Sequence, residues 1–343
     1  MALCPEASPS PAGPPLPAPR GPLSALLLDH LSRPPQPLDR CQPSVEDPLG
    51  DDAQLALYLC YELHYRGWHG VDDGWEWEPS LLALRRRLET AFLDRVADEV
   101  GPLPVPGDVP AQLQETIDSS AGPSLSSYLC NEGSLEQLRE FAVHRSAYQL
   151  KEADPHTWAI PRLWGPPKAA LVSIQLDEYG GGVASEVHAS LFADTMRAMD
   201  LDPRYGAYLE VTPAPTLATC NLVTMLGLHR RLRGALVGHL AVFEMTSVRP
   251  MGRYAQAIRR HGLPEEAARF YDVHVAADAH HQVVAAHELA GPFAVQEPEQ
   301  ASAVLFGARA VMLVESRFAR HLLGAWCAGG TSLLRPLGHV SAA

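Results

Sequence analysis

Apolar residues recur every three or four positions along most of this chain, which is the spacing of amphipathic helices. One helical segment is DDAQLALYLCYELHYR, whose leading aspartates suit the positive end of a helix dipole. Another is WEWEPSLLALRRRLETAFLDRVADEV, in which Pro79 stands early and leucines form an apolar stripe. Strictly alternating patterns are almost absent. The sequence therefore predicts an all-α fold.

Helical patterns continue from Ser124 through the second half of the chain. Two of them, PPKAALVSIQLDEY and VASEVHASLFADTMRAM, are separated by a run of three glycines. Further helices are expected near residues 217–231, 234–246, 251–261, 265–289 and 298–323. No repeat of fixed period is visible, which disfavours a solenoid. Successive helices of this kind favour a helical bundle.

Composition divides the chain into three regions. Thirteen of its 31 prolines lie in the first 50 residues, where proline removes backbone donors and blocks helix interiors. Residues 1–48 are therefore predicted to be a disordered tail, with a short helix at 23–31 as an exception. Residues 49–120 are predicted to form an accessory helical region, and residues 121–335 the core bundle.

Overall composition argues against several classes of protein. The 343 residues are 46% hydrophobic and 20% charged, and no apolar run is long enough to span a membrane. A net charge of −13 argues against a nucleic-acid partner. The chain does not open on a basic and apolar leader, and its six cysteines form no CxxC pair. A cytoplasmic protein without a disulfide framework is expected.

The strongest local signal for chemistry is the segment YDVHVAADAHHQVVAAHEL. His274, Asp278 and His281 stand at i, i+4 and i+7, so one helix face presents two imidazoles and a carboxylate. This combination suits iron, manganese or zinc rather than calcium or magnesium. His280 and His287 fall on other faces and are expected to be structural or solvated.

A second pair, Glu178 and His188, flanks the three glycines. On an ideal helix the two residues would lie roughly 80° apart, so a bulge or partial unwinding at the glycines would bring them onto one face. The alternative is a plain helix–turn–helix break at the same place.

Two further carboxylates stand in apolar helical surroundings. Glu244, in GHLAVFEMTSV, is placed where an unpaired charge is unfavourable. Glu152, in YQLKEADPHTW, is followed four residues later by His156; taken alone, it suits a solvated helix end. Together with the residues above they give a set of four carboxylates and three imidazoles: Glu152, Glu178, His188, Glu244, His274, Asp278 and His281.

Helical bundles build di-iron sites from inward carboxylates and histidines in this way. Four carboxylates balance two divalent ions, whereas a single ion would leave about two buried negative charges uncompensated. The order of residues is a carboxylate, E-x9-H, a lone Glu and H-x3-D-x2-H, and no ExxH pair occurs among them.

This order resembles the heme-oxygenase-like di-iron oxidases and oxygenases, also described as iron-containing redox enzymes. The resemblance covers roughly residues 124–334 and is most specific in KEADPHTWAIPRLWGPPKAALVSIQLDEYGGGVASEVHASLF and FYDVHVAADAHHQVV. The segment ELHYRGWHGVDDGWEWEP also looks like one that precedes the core in many members. The resemblance implies a heme-oxygenase-like helical fold and metal ligation by the seven residues above. It leaves open whether His156 supports or replaces Glu152.

The resemblance also implies that two iron ions activate O2 as a co-substrate, without haem. Family members N-oxygenate amines, decarboxylate fatty acids, or cleave and desaturate amino-acid side chains. The chain length and the ELHYRG segment look closer to the N-oxygenating members, so N-oxygenation of a small amine towards a hydroxylamine or nitro group is expected. The alternative is a di-iron oxidase that breaks C–C or C–H bonds of an amino acid or fatty acid.

Expected partners are a small amine and an external electron donor or reductase, with a homodimer as a further expectation. Tyr179 and Arg309 are candidate substrate-binding residues, and Arg317 could also pair a substrate carboxylate. Polar residues that could support the metal ligands are Tyr179, Tyr271, Gln175 and Thr246.

Two functions of other classes remain as alternatives. A haem protein would need one proximal histidine in a mostly apolar pocket, and four inward carboxylates disfavour it. A non-catalytic helical storage or binding protein would bind iron without substrate-triggered O2 uptake. The visible absorption spectrum and O2 uptake distinguish these alternatives from an oxygenase.

Overall fold

Helices joined by loops make up the described part of the chain, which in this computed structural model comprises residues 13–38 and 43–337. No strand occurs among these residues, and the all-α prediction is confirmed. Within the same ranges, no helix combines the length and the apolarity needed to cross a membrane.

The α-helices are numbered in chain order. They are α1 (Pro22–Leu31), α2 (Asp51–Glu62), α3 (Pro79–Val100), α4 (Val109–Asp118), α5 (Leu125–Asn131), α6 (Leu135–Gln149), α7 (Asp154–Thr157), α8 (Gly165–Glu178), α9 (His188–Ala198), α10 (Ala214–Leu228), α11 (Arg233–Arg260), α12 (Glu265–Val283), α13 (Gly291–Gln296) and α14 (Ala301–Cys327). A π-helical segment, Val284–Ala290, joins α12 to α13. Short 3-10 turns lie at Asp73–Trp77, Ile160–Arg162, Gly180–Gly182, Ala184–Glu186, Leu209–Val211, Arg230–Leu232 and Pro298–Gln300.

Helix α1 packs into the protein, although the proline-rich composition predicted a disordered tail. Leu23, Leu27 and Leu31 recur every four residues and are almost completely buried. The Asp52 carboxylate of α2 accepts hydrogen bonds from the backbone N–H groups of Leu23 and Ser24, which satisfies the start of α1. The short helix expected at 23–31 is thus present as α1, and the disorder of the rest of residues 1–48 stays a prediction. Residues 1–12 and 39–42 of the same region lie outside the described residues.

The accessory helices share an apolar cluster with the core bundle. Leu57 of α2 and Leu84 of α3 belong to the same buried cluster as Leu222 of α10 and Val304 of α14. The division into regions at residue 120 stays a prediction, since the packing is continuous across it.

Helix α11 runs without interruption where two shorter helices were expected. Pro250 lies inside it, although proline lacks an N–H group and crowds the preceding turn of a helix. Helix α11 also approaches α14 closely. A Cβ atom at Gly238 would overlap the Val304 carbonyl oxygen, and one at Gly307 would overlap that of Ala235. This close packing fixes the position of the part of α11 that carries Glu244.

Candidate metal centre

Seven buried side chains from four helices and one turn converge in the core bundle. They are the seven residues selected from the sequence, and each is no more than 6% exposed. They form two groups in which potential ligand atoms lie within 4.8 Å of one another. Site A comprises Glu152, Glu178, His188 and His274, and site B comprises Glu178, Glu244, Asp278 and His281. Because Glu178 belongs to both, the two sites adjoin.

One face of α12 supplies three of these side chains. His274, Asp278 and His281 are buried, whereas His280 and His287 are exposed. His274 belongs to site A, and the other two buried residues belong to site B. The i, i+4, i+7 spacing thus lets a single helix contribute to both sites.

Glu178 and His188 meet across a break between two helices. Glu178 is the last residue of α8 and His188 is the first of α9. The three glycines between them all have positive φ, from +60° to +85°, so the helix–turn–helix alternative is the correct one and the bulge is not formed. A Cβ atom at Gly180 would lie 2.5 Å from the backbone nitrogen of Val187, which leaves no room for another residue. The tight turn brings Glu178 Oε2 within 2.8 Å of His188 Nδ1.

Glu152 lies in a distorted turn directly after α6. The next residue, Ala153, has a φ of +72°, a conformation that costs an L-amino acid about 1–2 kcal/mol. The Gln175 side chain donates to the Ala153 carbonyl oxygen at 2.9 Å and holds this turn. With its amide placed to donate, Gln149 lies 2.6 Å and 3.1 Å from the two oxygens of Glu152. Glu152 is therefore positioned by neighbours on α6 and α8.

The residue before Glu152 links this turn to the accessory region. Lys151 is 3% exposed and its Nζ lies 2.9 Å from Oε2 of Glu62, at the end of α2. Three tyrosine rings surround the ammonium group, with centroids between 4.2 and 5.8 Å away: Tyr58, Tyr65 and Tyr205. Glu62 begins the ELHYRG segment noted in the sequence. That segment therefore packs on the turn that carries Glu152.

Hydrogen bonds outside the two sites orient two of the imidazoles. His274 donates from Nδ1 to the Phe270 carbonyl oxygen at 2.8 Å, which leaves Nε2 facing site A. His281 donates from Nε2 to the Asp177 carboxylate at 3.0 Å, which leaves Nδ1 facing site B. Such outer contacts fix the tautomer of metal-binding histidines. The sequence analysis missed Asp177, although its position beside Glu178 was a signal.

Several atoms in the two sites are buried without a hydrogen-bond partner. They are Glu178 Oε2, His188 Nδ1, His281 Nδ1 and both carboxylate oxygens of Asp278. Glu178 Oε2 and His188 Nδ1 lie close together, yet their geometry is not that of a hydrogen bond. An unsatisfied buried polar atom costs about 1–3 kcal/mol, so a cluster of them indicates a place for a ligand.

The donor set matches the chemistry of a transition metal. Imidazole nitrogens combined with carboxylate oxygens suit iron, manganese or zinc. Four carboxylates at these two sites carry more negative charge than a single divalent ion balances. The residues therefore fit iron, and they fit two ions better than one.

Charge compensation within the sites is visible in the pKa values of the side chains. Burial raises the pKa of Glu244 to about 8. Burial opposes protonation of His281, but the carboxylates of Asp278 and Glu244, each 3.4 Å from its Nδ1, outweigh it and raise its pKa to about 11. Burial likewise opposes protonation of His274, and the neighbouring Glu152 carboxylate nevertheless raises its pKa to about 10. Without an ion, protonated imidazoles thus serve as the counter-charges of the carboxylates.

Three residues expected at the substrate have partners within the protein, so their role in substrate binding stays a prediction. Arg309 donates to the Pro102 carbonyl oxygen at 2.9 Å, on the side of α14 that faces the α3–α4 connection. Arg317 pairs with Glu99 of α3 at 2.9 Å. The Tyr179 hydroxyl donates to Asp154 at 2.8 Å and lines a separate surface pocket. Hydrogen-bond and ion-pair partners that are distant in the sequence determine where these three side chains lie. The sequence therefore carries no local signal for their positions.

Other residues named from the sequence lie close to the sites. Gln175 holds the turn after Glu152 as described above. His156 contacts His239 at 3.2 Å and is in neither site, so it does not replace Glu152 in these groups. The hydroxyl of Thr246 donates to the backbone of its own helix. Tyr271 is 2% exposed, and its hydroxyl has no partner.

A cavity of about 270 Å³ lies beside the two sites, slightly below the range of about 300–1,000 Å³ that is typical of small-molecule pockets. Phe243, Ser247 and Met251 line both this cavity and the small space enclosed by the metal-site residues. The exposed loop around Gly122 borders its other side. The sequence analysis did not identify this cavity, because its walls come from five distant segments. Its position suits a substrate that reaches the metal centre from outside.

Comparison with known proteins agrees with this chemistry. A family model described as iron-containing redox enzyme matches residues 139–316, slightly more than half of the chain. All seven residues of sites A and B lie within the matched region.

One curated relative matches part of the chain. Nitrosourea synthase from Streptomyces achromogenes subsp. streptozoticus is 25% identical over 143 residues. The match covers 42% of this chain and 30% of the relative, so less than a third of that protein's length is represented here.

Proposed function

The chain belongs to the family of iron-containing redox enzymes, and from this premise we propose that it is a non-haem di-iron oxygenase that N-oxygenates a small amine. The observation that carries the proposal is the sharing of Glu178 by two four-residue groups of buried ligand atoms. Site A and site B would each hold one iron ion, with Glu178 common to both. Four carboxylates then balance the charge of two Fe(II) ions.

Bound iron would supply the electrons and open coordination positions for the reduction of O2. The protein's own groups prepare the site for this chemistry. Phe270 and Asp177 hold the rings of His274 and His281, so their free nitrogens face the sites. Asp278 keeps both carboxylate oxygens free of other partners. Phe270 packs edge-on against the His188 ring, Phe192 packs against Phe270, and both rings keep bulk water from site A.

Insertion of one oxygen atom into an amine N–H bond requires electrons from outside the protein. The amine, O2, two protons and two electrons give the hydroxylamine and water. An external reductant, a reductase or a small electron donor, would supply the two electrons. The substrate would lie in the cavity beside Phe243 and Ser247, with its nitrogen directed at the metal sites.

Two observations favour an amine over a fatty acid. The relative named above is a nitrosourea synthase, and a nitrosourea contains a nitrogen–oxygen bond. The cavity here contains the ion pair of Arg145 and Glu315, which is unfavourable for a long hydrocarbon chain.

Anaerobic loading with Fe(II), followed by exposure to isotopically labelled O2, tests the proposal. We expect about two iron ions per chain by metal analysis and Mössbauer spectroscopy, and labelled oxygen on nitrogen in the product of an amine. The substrate panel includes primary amines, amino acids and fatty acids. One iron per chain, a tightly bound haem, or a product that has lost carbon without gaining labelled oxygen would contradict it.

A further inference from the structure

Aromatic rings form much of the wall of the cavity beside the metal sites. Three of them stand in a row, since the centre of the Tyr254 ring lies 4.5 Å from that of Phe141 and 5.6 Å from that of Tyr271. Phe243 and Phe318 contribute two further rings. Aromatic rings interact favourably with one another in offset and edge-to-face arrangements. The wall therefore favours a ligand that carries an aromatic ring.

The cavity offers no free counter-charge to a ligand. Among the described residues that line it, only Arg145 and Glu315 are charged, and they pair with each other. Arg145 donates from its two terminal nitrogens to the two oxygens of Glu315, at 3.0 and 2.7 Å. The guanidinium carbon also lies 4.4 Å from the centre of the Phe318 ring. This bidentate pair compensates its own charges, so a ligand with a single charge would stay unpaired.

This restriction separates two kinds of amine. An amino group on a saturated carbon is protonated near neutral pH, as the lysine side chain is, and its charge would be buried here without a partner. The carboxylates of sites A and B do not compensate it, because in the proposed function they balance the iron ions. An amino group on an aromatic ring is uncharged at the same pH, since its lone pair is delocalised into the ring.

Tyr271 marks a place for a polar group of the ligand. It lines the cavity, is 2% exposed, and has a hydroxyl group without a hydrogen-bond partner. On α12 it stands one turn before His274, a residue of site A. A buried tyrosine hydroxyl normally finds a partner, and the N–H of an aromatic amine can donate to it.

We propose that the cavity binds an uncharged aromatic amine, with its ring against Phe141 and Tyr254 and its amino group at the Tyr271 hydroxyl. The nitrogen then faces the metal sites. In the reaction, one oxygen atom of O2 enters an N–H bond of this amine. Two protons, and two electrons from the external reductant, convert the other oxygen atom to water. The identity of the reaction rests on the proposed function, but the binding does not.

Two isomers with the same atoms and the same fused rings test the proposal. The amino group of 5-aminotetralin is on the aromatic ring and uncharged at neutral pH, whereas that of 1-aminotetralin is on the saturated ring and charged. Calorimetry on the full chain with Fe(II) added, under argon, measures their binding without turnover. We expect 5-aminotetralin to bind at least about tenfold more tightly. Equal affinities, tighter binding of 1-aminotetralin, or no binding of either isomer would overturn the proposal.

Substitutions of the ion pair test the charge argument. Arg145→Gln leaves the Glu315 carboxylate available to an ammonium group, so the preference for 5-aminotetralin should fall at least about tenfold. The double variant Arg145→Gln/Glu315→Gln keeps the cavity uncharged and should retain the preference. Arg317→Gln is the control, since Arg317 lies on the same helix but pairs with Glu99 outside the cavity. An unchanged preference in Arg145→Gln, or a lost one in the double variant, would contradict the proposal.

Tyr271→Phe tests the position of the amino group. The ring stays in place and the hydroxyl is lost, so 5-aminotetralin should bind about two- to tenfold more weakly. Tetralin, which has no amino group, should bind both proteins equally. An unchanged affinity for 5-aminotetralin would show that its amino group does not lie at this hydroxyl.

The binding proposal and the proposed function can fail separately. If 5-aminotetralin binds preferentially but gains no labelled oxygen on nitrogen with Fe(II) and O2, the proposed function is wrong and the recognition of aromatic amines stands. If 1-aminotetralin is N-oxygenated and binds as tightly as its isomer, the recognition proposal is wrong and the oxygenase stands.

Discussion

Lys151 Nζ lies 2.9 Å from Glu62 Oε2, and neither side chain is more than 2% exposed. The pair joins the end of α2 to the turn that carries Glu152. A second contact in the same place runs from Arg66 Nη2 to the Leu150 carbonyl oxygen, at 3.4 Å. Residues of the accessory region thus hold a ligand of site A in place from outside the core bundle.

Lys151→Met should destabilise the protein by about 3–5 kcal/mol, because it leaves Glu62 buried without its counter-charge. The double variant Lys151→Met/Glu62→Gln should recover part of this stability. It should still bind iron more weakly at site A, because the ion pair no longer connects the turn to α2. Urea unfolding and Fe(II) titration measure the two effects.

The control for this variant is Arg33→Met, which breaks an exposed ion pair with Asp29. Exposed pairs contribute no more than about 1 kcal/mol, so the free energy of unfolding should change little. If Lys151→Met lowers the free energy of unfolding no more than Arg33→Met does, the buried pair does not stabilise the turn.

His281→Ala should abolish iron binding at site B and O2-dependent activity, whereas His280→Ala should retain both. The two residues are neighbours in sequence, but His281 is 1% exposed and faces site B while His280 is exposed. Metal analysis after anaerobic loading gives the iron content of each variant. Equal losses of iron in the two variants would refute the assignment of His281.

Asp177→Ala should weaken iron binding at site B by about 10–100-fold, because His281 loses the acceptor that orients its ring. Asp177→Asn should have a smaller effect, since the amide oxygen still accepts the hydrogen bond. Competition with a chelator measures the affinity. The control is Asp272→Asn, an exposed residue of α12 that pairs with Arg259. If Asp177→Ala lowers the iron affinity of site A as much as that of site B, the loss does not arise from the orientation of His281.

Tyr271→Phe should leave the free energy of unfolding unchanged or raise it by up to about 1 kcal/mol, because it removes a buried hydroxyl without a partner. Urea unfolding measures the change. A clear loss of stability would mean that the hydroxyl has a partner in the folded protein.

Sequence reasoning succeeded where a single helix determines the outcome. His274, Asp278 and His281 could be placed on one face from their spacing alone. The resemblance to heme-oxygenase-like enzymes is confirmed by the family match, and the helical architecture agrees with it. The structure brings the seven expected ligands together. Their ligation of iron stays a prediction.

Sequence reasoning failed where partners are distant in the chain. Glu315 is 170 residues from Arg145, and Asp177 is 104 residues from His281, so no local pattern reveals either contact. The conformation at the three glycines was left open for the same reason, since the packing of α8 and α9 decides it. Helix α1 was expected at 23–31 in spite of the proline-rich composition around it, but its packing against α2 could not be read from a local pattern.

The loop between Glu178 and His188 connects two residues of site A, and its interior makes few contacts. Residues 181–185 are exposed, and a Cβ atom at Gly181 or Gly182 would touch nothing within 4 Å. Glycine loses more conformational freedom on ordering than any other residue. Without an ion, the middle of the loop therefore has few contacts that would fix its conformation, and only its two ends are packed.

We expect residues 175–188 to exchange amide hydrogens rapidly in iron-free protein and slowly after Fe(II) is bound, because an ion in site A would tie both ends of the loop together. Residues 271–281 of α12 should be protected in both states, since this helix is held by the buried Phe270 and Tyr271. Hydrogen exchange followed by mass spectrometry, with and without Fe(II) under argon, compares the two segments in one experiment. His188→Ala is the matched variant, and it should keep the loop in rapid exchange even with Fe(II) present. Protection of residues 175–188 in the iron-free protein equal to that of residues 271–281 would mean that the three glycines form a rigid turn and that iron does not order it.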